Sequence, residues 1–305
     1  MRFCLYVPVG NVTPGEFQSQ AAIREMAQAL EAAGVDACCV TDHPAPSSQW
    51  LHSNGHDALD PFTALAFVAA ESSRLLLQTN ILVLPYRNPF ITAKAATTLQ
   101  VLSGGRFILG VGAGYQEAEF AALGVDFHQR GRLTDEALET IRTIWGGGVI
   151  VKKGIGFDAP GNEPRPAPKP QPKIWIGGSS EKALLRAATY GDGWCPFFSL
   201  ATHSKANRDS GIQSLDDLQD KISFIAERRH QQGLGAELDV NIAISSMDTF
   251  ASRSRDEADR FIEEVRRMEK AGVTWVTVKL PHPTRAAYVD NVQWFGEEVV
   301  QRLQH

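Results

Sequence analysis

Cysteine is scarce in this sequence, and its spacing excludes the usual cysteine chemistry. The chain has four cysteines among 305 residues, all within apolar runs, and none of them forms a CxxC pair. Cys38 and Cys39 are neighbours, so on a strand they would point to opposite faces. We therefore expect reduced core residues rather than a disulfide framework or a zinc site.

Long apolar runs and basic clusters are missing as well. No apolar run approaches the length that spans a membrane, and the opening segment "MRFCLYVPVG" is too short an apolar stretch for a signal peptide. The net charge is −5, and lysine and arginine do not cluster with aromatic residues. These features argue against nucleic acid or an anionic membrane as partner. We expect a cytoplasmic protein that acts on small molecules.

What the sequence does contain is a regular alternation of strand and helix patterns. Eight apolar runs typical of buried parallel strands cover 3–9, 35–41, 75–84, 106–112, 173–178, 191–197, 239–246 and 273–281. Helical periodicity fills 16–33, 60–73, 89–103, 130–145, 180–190, 215–231, 256–271 and 284–304. This count favours a single (β/α)8 TIM barrel over residues 1–305 rather than a doubly wound sheet.

One segment interrupts this alternation, between the fourth helix and the fifth strand. Residues 146–173 are rich in glycine and proline, and we interpret them as an insertion, a short hairpin followed by extended chain. The composition fits a surface loop or a flap beside the active site.

Ionisable residues follow the second strand, in the stretch "VTDHP". Because the active site of a TIM barrel lies at the carboxyl ends of its strands, Asp42 and His43 are placed where charge can be solvated or used. His52 and His56 follow in the same loop. Catalytic metals in barrels take ligands from several strand ends, so we interpret these two as surface histidines and expect no metal.

Two glycine-rich stretches also fall at strand ends. In "IGGSSEKALL" two glycines permit close backbone approach and a helix opens at Ser179 or Ser180, which favours a bound phosphate. An ordinary serine-capped turn has the same sequence. "GVGAGY" supplies a second such loop, but no strand follows it before residue 173, which excludes a dinucleotide-binding fold.

Together these stretches resemble the luciferase-like monooxygenase superfamily of flavin and deazaflavin barrels, most closely its coenzyme F420-dependent oxidoreductases. The pieces that carry the resemblance are "VTDHP", "TNILVLPYRNP", "LSGGRFILGVGAGY", "PKIWIGGSSEKALLRAATYGDGW" and the interruption at 146–173. The resemblance implies a homodimer and a cofactor lying across the barrel mouth. It also implies a bulge with a non-proline cis peptide at Asn80-Ile81 under the cofactor ring.

Further site residues follow from the same resemblance. His43 would give or take the proton that accompanies hydride transfer. The remaining cofactor contacts would be Asp42, Asn80, Ile81, Gly112, Ala113, Gly114, Gly177, Gly178 and Ser179. The substrate would meet Trp50, Tyr115 and Phe197.

The substrate itself stays open. Sugar-phosphate dehydrogenases of the superfamily carry a glutamate where this sequence has Tyr115, which argues against glucose 6-phosphate. Besides an F420-dependent oxidoreductase, the sequence permits an FMN-dependent monooxygenase using O2 and a non-catalytic flavin- or deazaflavin-binding protein. A metal hydrolase is a further alternative.

Overall fold

The apolar runs pair into a closed barrel of parallel strands in the computed structural model, which describes residues 1–11, 13–53, 55–196, 211–245, 250 and 252–304. The strands are β1 (Arg2–Tyr6), β2 (Ala37–Val40), β3 (Leu76–Thr79), β4 (Leu82–Val83), β5 (Phe107–Gly112), β6 (Ile150–Gly154), β7 (Phe157–Asn162), β8 (Lys173–Gly177), β9 (Gly193–Cys195), β10 (Asp239–Ser245) and β11 (Trp275–Lys279). β1 pairs with both β2 and β11, which closes the ring. β3 and β4 share one position in it, so the predicted eight-stranded TIM barrel is confirmed.

Helices surround this barrel. They are α1 (Gln20–Ala32), α2 (Ser48–Ser53), α3 (Pro61–Glu71), α4 (Pro89–Leu102), α5 (Glu117–Ala122), α6 (Arg130–Gly146), α7 (Glu181–Tyr190), α8 (Leu215–Gln231), α9 (Arg255–Lys270), α10 (Arg285–Phe295) and α11 (Gln301–Gln304), with a π-helical turn at Gly296–Val300. α3 begins after Asp60, whose side chain accepts the Thr63 N–H, and α4 begins after Asn88, which caps Phe90. Within the described ranges, no helix is long and apolar enough to cross a membrane.

The two faces of the barrel strands bury different residues. Cys38 packs outward among the side chains between strands and helices, whereas Cys39 points into the barrel interior. Cys39 shares that interior with Cys4, Trp175, Cys195 and Trp275 among others. All four cysteines are buried and reduced. The interior of the barrel is therefore filled, and any ligand must bind at its mouth.

The insertion at 146–173 folds into an ordered hairpin. β6 and β7 pair antiparallel and lie against the outer helices, where the ring of Phe157 packs on Phe90 and Glu136 accepts the Ile155 N–H. The expected hairpin is confirmed. None of its residues is among those that line the cavity described below, so the described structure does not support its interpretation as a flap over the site.

Candidate active site

A cavity of about 1110 Å³ opens at the carboxyl ends of the barrel strands. It runs from His43 and Asn241 at the mouth to Arg132 and Lys182 in the first turns of α6 and α7. Most of the predicted site residues line it, namely Asp42, His43, Asn80, Ile81, Gly112, Ala113, Gly114, Tyr115, Gly177 and Gly178. Residues distant in sequence thus share one continuous pocket.

The third barrel strand is broken at the edge of this cavity. On β5, Ile108 pairs with Gln78 and Val111 pairs with Leu82. Three residues lie between Gln78 and Leu82, but only two lie between their partners. The extra residue makes a bulge. The bond between Asn80 and Ile81 is a non-proline cis peptide, which confirms the prediction drawn from the resemblance.

Glycines on the neighbouring strands make room for the Ile81 side chain. A Cβ at Gly112 would lie 3.0 Å from Ile81 Cγ2, and one at Gly177 would lie 3.1 Å from Cγ1. Both distances are shorter than ordinary carbon contacts, so a larger residue at either position would displace Ile81. These two predicted cofactor contacts therefore also shape the cavity wall.

His43 is held through one ring nitrogen by the buried Glu119. The Nδ1 atom lies 3.1 Å from Glu119 Oε2, and the side-chain amide nitrogen of Gln116 lies 3.0 Å from the same atom. A carboxylate only accepts hydrogen bonds, so Nδ1 carries the hydrogen, and the Gln116 amide, whose oxygen and nitrogen exchange places when the group is flipped, presents its oxygen to that hydrogen. Within the described part of the chain, Nε2 has no partner, which leaves it as the atom that can exchange a proton.

Glu119 is itself fixed by further donors. Its side chain is 0% exposed, and its oxygens accept the Ala45 N–H and the Tyr86 hydroxyl, each at 3.1 Å. Burial raises the pKa of Tyr86, and the negative charge of Glu119 raises it further. The Tyr86 hydroxyl therefore keeps its hydrogen and remains a donor. Glu119 can hold His43 in one orientation because its own position is determined.

Sequence reasoning missed Glu119, although a signal was present. Gln116 precedes α5 and Glu119 lies three residues later, the spacing that brings two side chains to one face of a helical turn. Both follow the glycine-rich loop after β5. Nothing in the local pattern, however, identifies His43 as their partner, 76 residues away.

Asp42 is buried and uses its oxygens within the protein. It forms a bidentate ion pair with Arg87 at 2.6 and 2.7 Å and accepts the Val83 N–H at 2.9 Å. Val83 lies just after the bulge, so Asp42 fastens the bulge to the end of β2. The carboxylate behind the imidazole is Glu119, and the contact of Asp42 with a cofactor stays a prediction.

Aromatic rings surround His43. The ring centroids of Trp50, His56 and Tyr115 lie 4.5, 5.0 and 6.3 Å from that of His43. Tyr115 and His56 line the cavity, whereas Trp50 is not among the lining residues and packs against both imidazoles. His56 is exposed, as expected of a surface histidine, and it also lines the cavity because its loop folds back over the mouth. Phe197 lies outside the described residues.

His52 behaves as expected. It is exposed, and its Nδ1 lies 2.7 Å from the Ser48 carbonyl oxygen within α2. It does not line the cavity.

The far end of the cavity is formed by the first turn of α7. Ser180 caps this helix by accepting the Ala183 N–H, and Ser179 is buried outside the cavity lining. The Gly178 N–H donates to the Cys195 carbonyl at 3.0 Å, so this donor is already used. Any anion here would be met instead by the helix terminus and by the side chains beside it.

Two of those side chains are the cations Arg132 and Lys182. Both are exposed and line the cavity, and neither forms an ion pair within the part of the chain that the structure describes. Arg186, by contrast, is paired with Asp135. The cavity thus joins a histidine at one end to available positive charge at the other.

Comparison with known proteins agrees with this geometry. The family model described as luciferase-like monooxygenase matches residues 1–285. An uncharacterised protein of Mycobacterium tuberculosis is 27% identical over 91% of this chain and 94% of its own length. An F420-dependent glucose-6-phosphate dehydrogenase of Beutenbergia cavernae is 25% identical over 90% of each chain. The crystal structure of the long-chain alkane monooxygenase LadA superposes with a TM-score of 0.77 at 17% identity, covering 100% of this chain and 91% of that one. The chain therefore belongs to the luciferase-like monooxygenase family, whose named relatives are oxidoreductases.

Proposed function

We propose that this protein is a coenzyme F420-dependent oxidoreductase that transfers a hydride between the deazaflavin and a small organic substrate. One observation carries the proposal: a single cavity connects the His43–Glu119 pair with Arg132 and Lys182, two cations that form no ion pair among the described residues. A redox cofactor that carries a phosphate needs a group that transfers a proton beside its ring and positive charge beside its phosphate. The F420-dependent relative supports the same assignment.

The residues present fit such a cofactor. Glycine at positions 112 and 177 keeps the wall beside Ile81 free of side chains, so a flat ring system has room against the bulge. The first turn of α7, with Lys182, would hold the phosphate. When bound, F420 supplies a ring carbon that takes up or releases a hydride.

The protein itself gives or takes the proton that accompanies hydride transfer. Oxidation of an alcohol to a ketone removes a hydride from carbon and a proton from oxygen, and reduction adds both. The proton belongs at His43 Nε2, the ring nitrogen that Glu119 leaves available. Glu119 keeps the hydrogen on Nδ1 and so holds the tautomer whose Nε2 lone pair faces the reacting oxygen.

The extent of the positive charge favours F420 over FMN. FMN ends in a phosphate monoester, whereas the phosphate of F420 continues into a chain that carries several carboxylates. Arg132, on α6, lies outside the first turn of α7 and therefore offers charge beyond a phosphate bound there. FMN would leave that charge unused.

The proposal is tested by removing this charge. We expect the double variant Arg132→Gln/Lys182→Gln to bind F420 about 2- to 30-fold more weakly, the worth of two exposed ion pairs. The loss should shrink as salt is raised, and FMN binding should change less. Fluorescence titration measures both affinities.

The matched control makes the same charge change elsewhere. Arg266 and Lys270 are exposed on α9 and do not line the cavity, so Arg266→Gln/Lys270→Gln should leave both affinities unchanged. An equal loss of F420 affinity in the two double variants would contradict the proposal.

FMN binding with turnover only in the presence of O2 would support the monooxygenase instead. Tight cofactor binding without turnover would indicate a non-catalytic binding protein.

A further inference from the structure

His56 lies beside His43 at the cavity mouth and has no part in the mechanism so far. The two rings meet edge to face, with centroids 5.0 Å apart and an interplanar angle of 74°. Trp50 packs against both, 4.5 Å from His43 and 5.4 Å from His56. His56 also lines the cavity. A substrate bound at His43 therefore lies close to His56.

The hydrogen bond of His56 determines its tautomer. Its Nδ1 lies 3.1 Å from the backbone carbonyl oxygen of Asp57, and a carbonyl oxygen can only accept. Nδ1 must therefore carry the hydrogen, which leaves Nε2 with a lone pair. Across the residues that the structure describes, this Nε2 has no partner.

The surroundings keep His56 neutral. Desolvation lowers its pKa, and the neighbouring ionisable groups His43 and Lys279 lower it further, while the Asp57 carbonyl and carboxylate act in the opposite direction. An imidazole with a lowered pKa carries no second hydrogen near pH 7. His56 Nε2 is thus an acceptor and not a donor.

The Nε2 atoms of His43 and His56 both accept hydrogen bonds at the cavity mouth, so a substrate that binds to both must supply two hydrogens. When His43 Nε2 takes the proton of a reacting alcohol, that hydroxyl has no hydrogen left for His56. Resting on the function proposed above, we propose that His56 is a specificity-determining residue that accepts a hydrogen bond from a second hydroxyl next to the reacting carbon. The substrates selected are vicinal diols and, in the other direction, α-hydroxy ketones. Tyr115, which lines the cavity, offers ring surface for an apolar remainder.

The first test observes the acceptor directly. In 15N-histidine-labelled protein, long-range 1H–15N correlation spectra separate protonated from unprotonated ring nitrogens, and His56→Phe assigns the His56 signals. The probes are 1-phenylethane-1,2-diol and 1-phenylethanol, which share one carbon skeleton. Spectra are recorded near pH 7, with and without saturating F420.

We expect His56 to appear with hydrogen on Nδ1 only, and its Nε2 signal to move with the diol but not with the mono-alcohol. A His56 protonated on Nε2, an equal response to both probes, or no response in either cofactor state would overturn the assignment. Failure of F420 to bind is measured in the separate titration, so it is distinguished from failure of the His56 proposal.

The second test separates recognition from packing. His56→Phe keeps a ring against Trp50 but removes the acceptor, and we expect it to raise KM for the diol about 2- to 12-fold, the worth of one neutral hydrogen bond, with kcat retained. His56→Gln, which restores an acceptor oxygen, should recover part of this loss. KM for 1-phenylethanol should not change.

The control is His52→Phe, in the same loop but exposed and outside the cavity. It should leave KM unchanged for both alcohols. An equal rise in KM for both alcohols in His56→Phe would identify a packing role and contradict the proposal.

Discussion

Replacement of Glu119 by glutamine should disturb both stability and turnover. The carboxylate is fully buried and accepts hydrogen bonds from His43, Tyr86 and the Ala45 N–H. The glutamine amide is neutral, and a hydrogen bond to a neutral group is weaker than one to a carboxylate by about 1 kcal/mol. With three such bonds, the free energy of unfolding should fall by about 3 kcal/mol. The N–H2 group of the amide must also face either the Ala45 N–H or the hydrogens of His43 and Tyr86, donor to donor.

Where the N–H2 group faces His43, the ring hydrogen should move from Nδ1 to Nε2, where it blocks proton uptake, and in either orientation the ring loses the charge that fixes its tautomer. We therefore expect turnover to fall about 10²–10⁴-fold, the usual worth of a positioned base. The assays are urea unfolding, F420 reduction by 1-phenylethane-1,2-diol and the His43 tautomer in 15N spectra. Glu117→Gln, on an exposed position of the same short helix, should leave all three unchanged. An unchanged His43 tautomer with near-normal turnover in Glu119→Gln would refute the reasoning.

Three further predictions concern the same region. His43→Gln should still fold and bind cofactor but turn over about 10²–10⁴-fold more slowly in steady-state assays, and near-normal turnover would remove His43 from the chemistry. Asp42→Asn should lower the free energy of unfolding by up to about 3–5 kcal/mol in urea titrations because it breaks the buried pair with Arg87, and a shifted pH profile of turnover would contradict this bracing role. Desolvation lowers the pKa of His56 and His282 below 6.5, so their contribution to stability is complete above that pH and is lost as pH falls through the lowered values. Thermal unfolding between about pH 8 and about pH 5 should show this loss, and a flat profile would count against it.

The barrel was predictable because its signal is local. Apolar runs such as 106–112, each followed by a helical period, specify parallel strands buried on both faces. Caps at Asp60 and Asn88 fix where two of the helices begin. The bulge at Asn80-Ile81 came from the family resemblance alone, because no pattern in a single sequence reveals it.

The partners of His43 were not predictable, because they depend on the closed fold. Glu119 reaches His43 only after β2 and β5 take their places in the barrel. His56 reaches it because residues 55–58 return across the end of β1, where a Cβ at Gly10 would lie 2.0 Å from the Asp57 carbonyl oxygen. A polar loop sequence does not specify such a path.

Some expectations from the sequence analysis stay predictions. They include the homodimer, the cytoplasmic location and the contacts of individual residues with the cofactor. The predicted phosphate contact at Gly178 is revised, because its N–H already donates to the Cys195 carbonyl. The anion is expected closer to Ser180 and Lys182 than to Gly178.

The most direct test of the central claim is a competition between the two cofactors. Wild-type protein is dialysed against equal concentrations of F420 and FMN, and the bound fraction of each is measured by absorbance after release. A cavity whose positive charge continues from Lys182 to Arg132 should retain mainly F420, with an advantage that decreases as salt is raised. Retention of mainly FMN at every salt concentration would contradict the account.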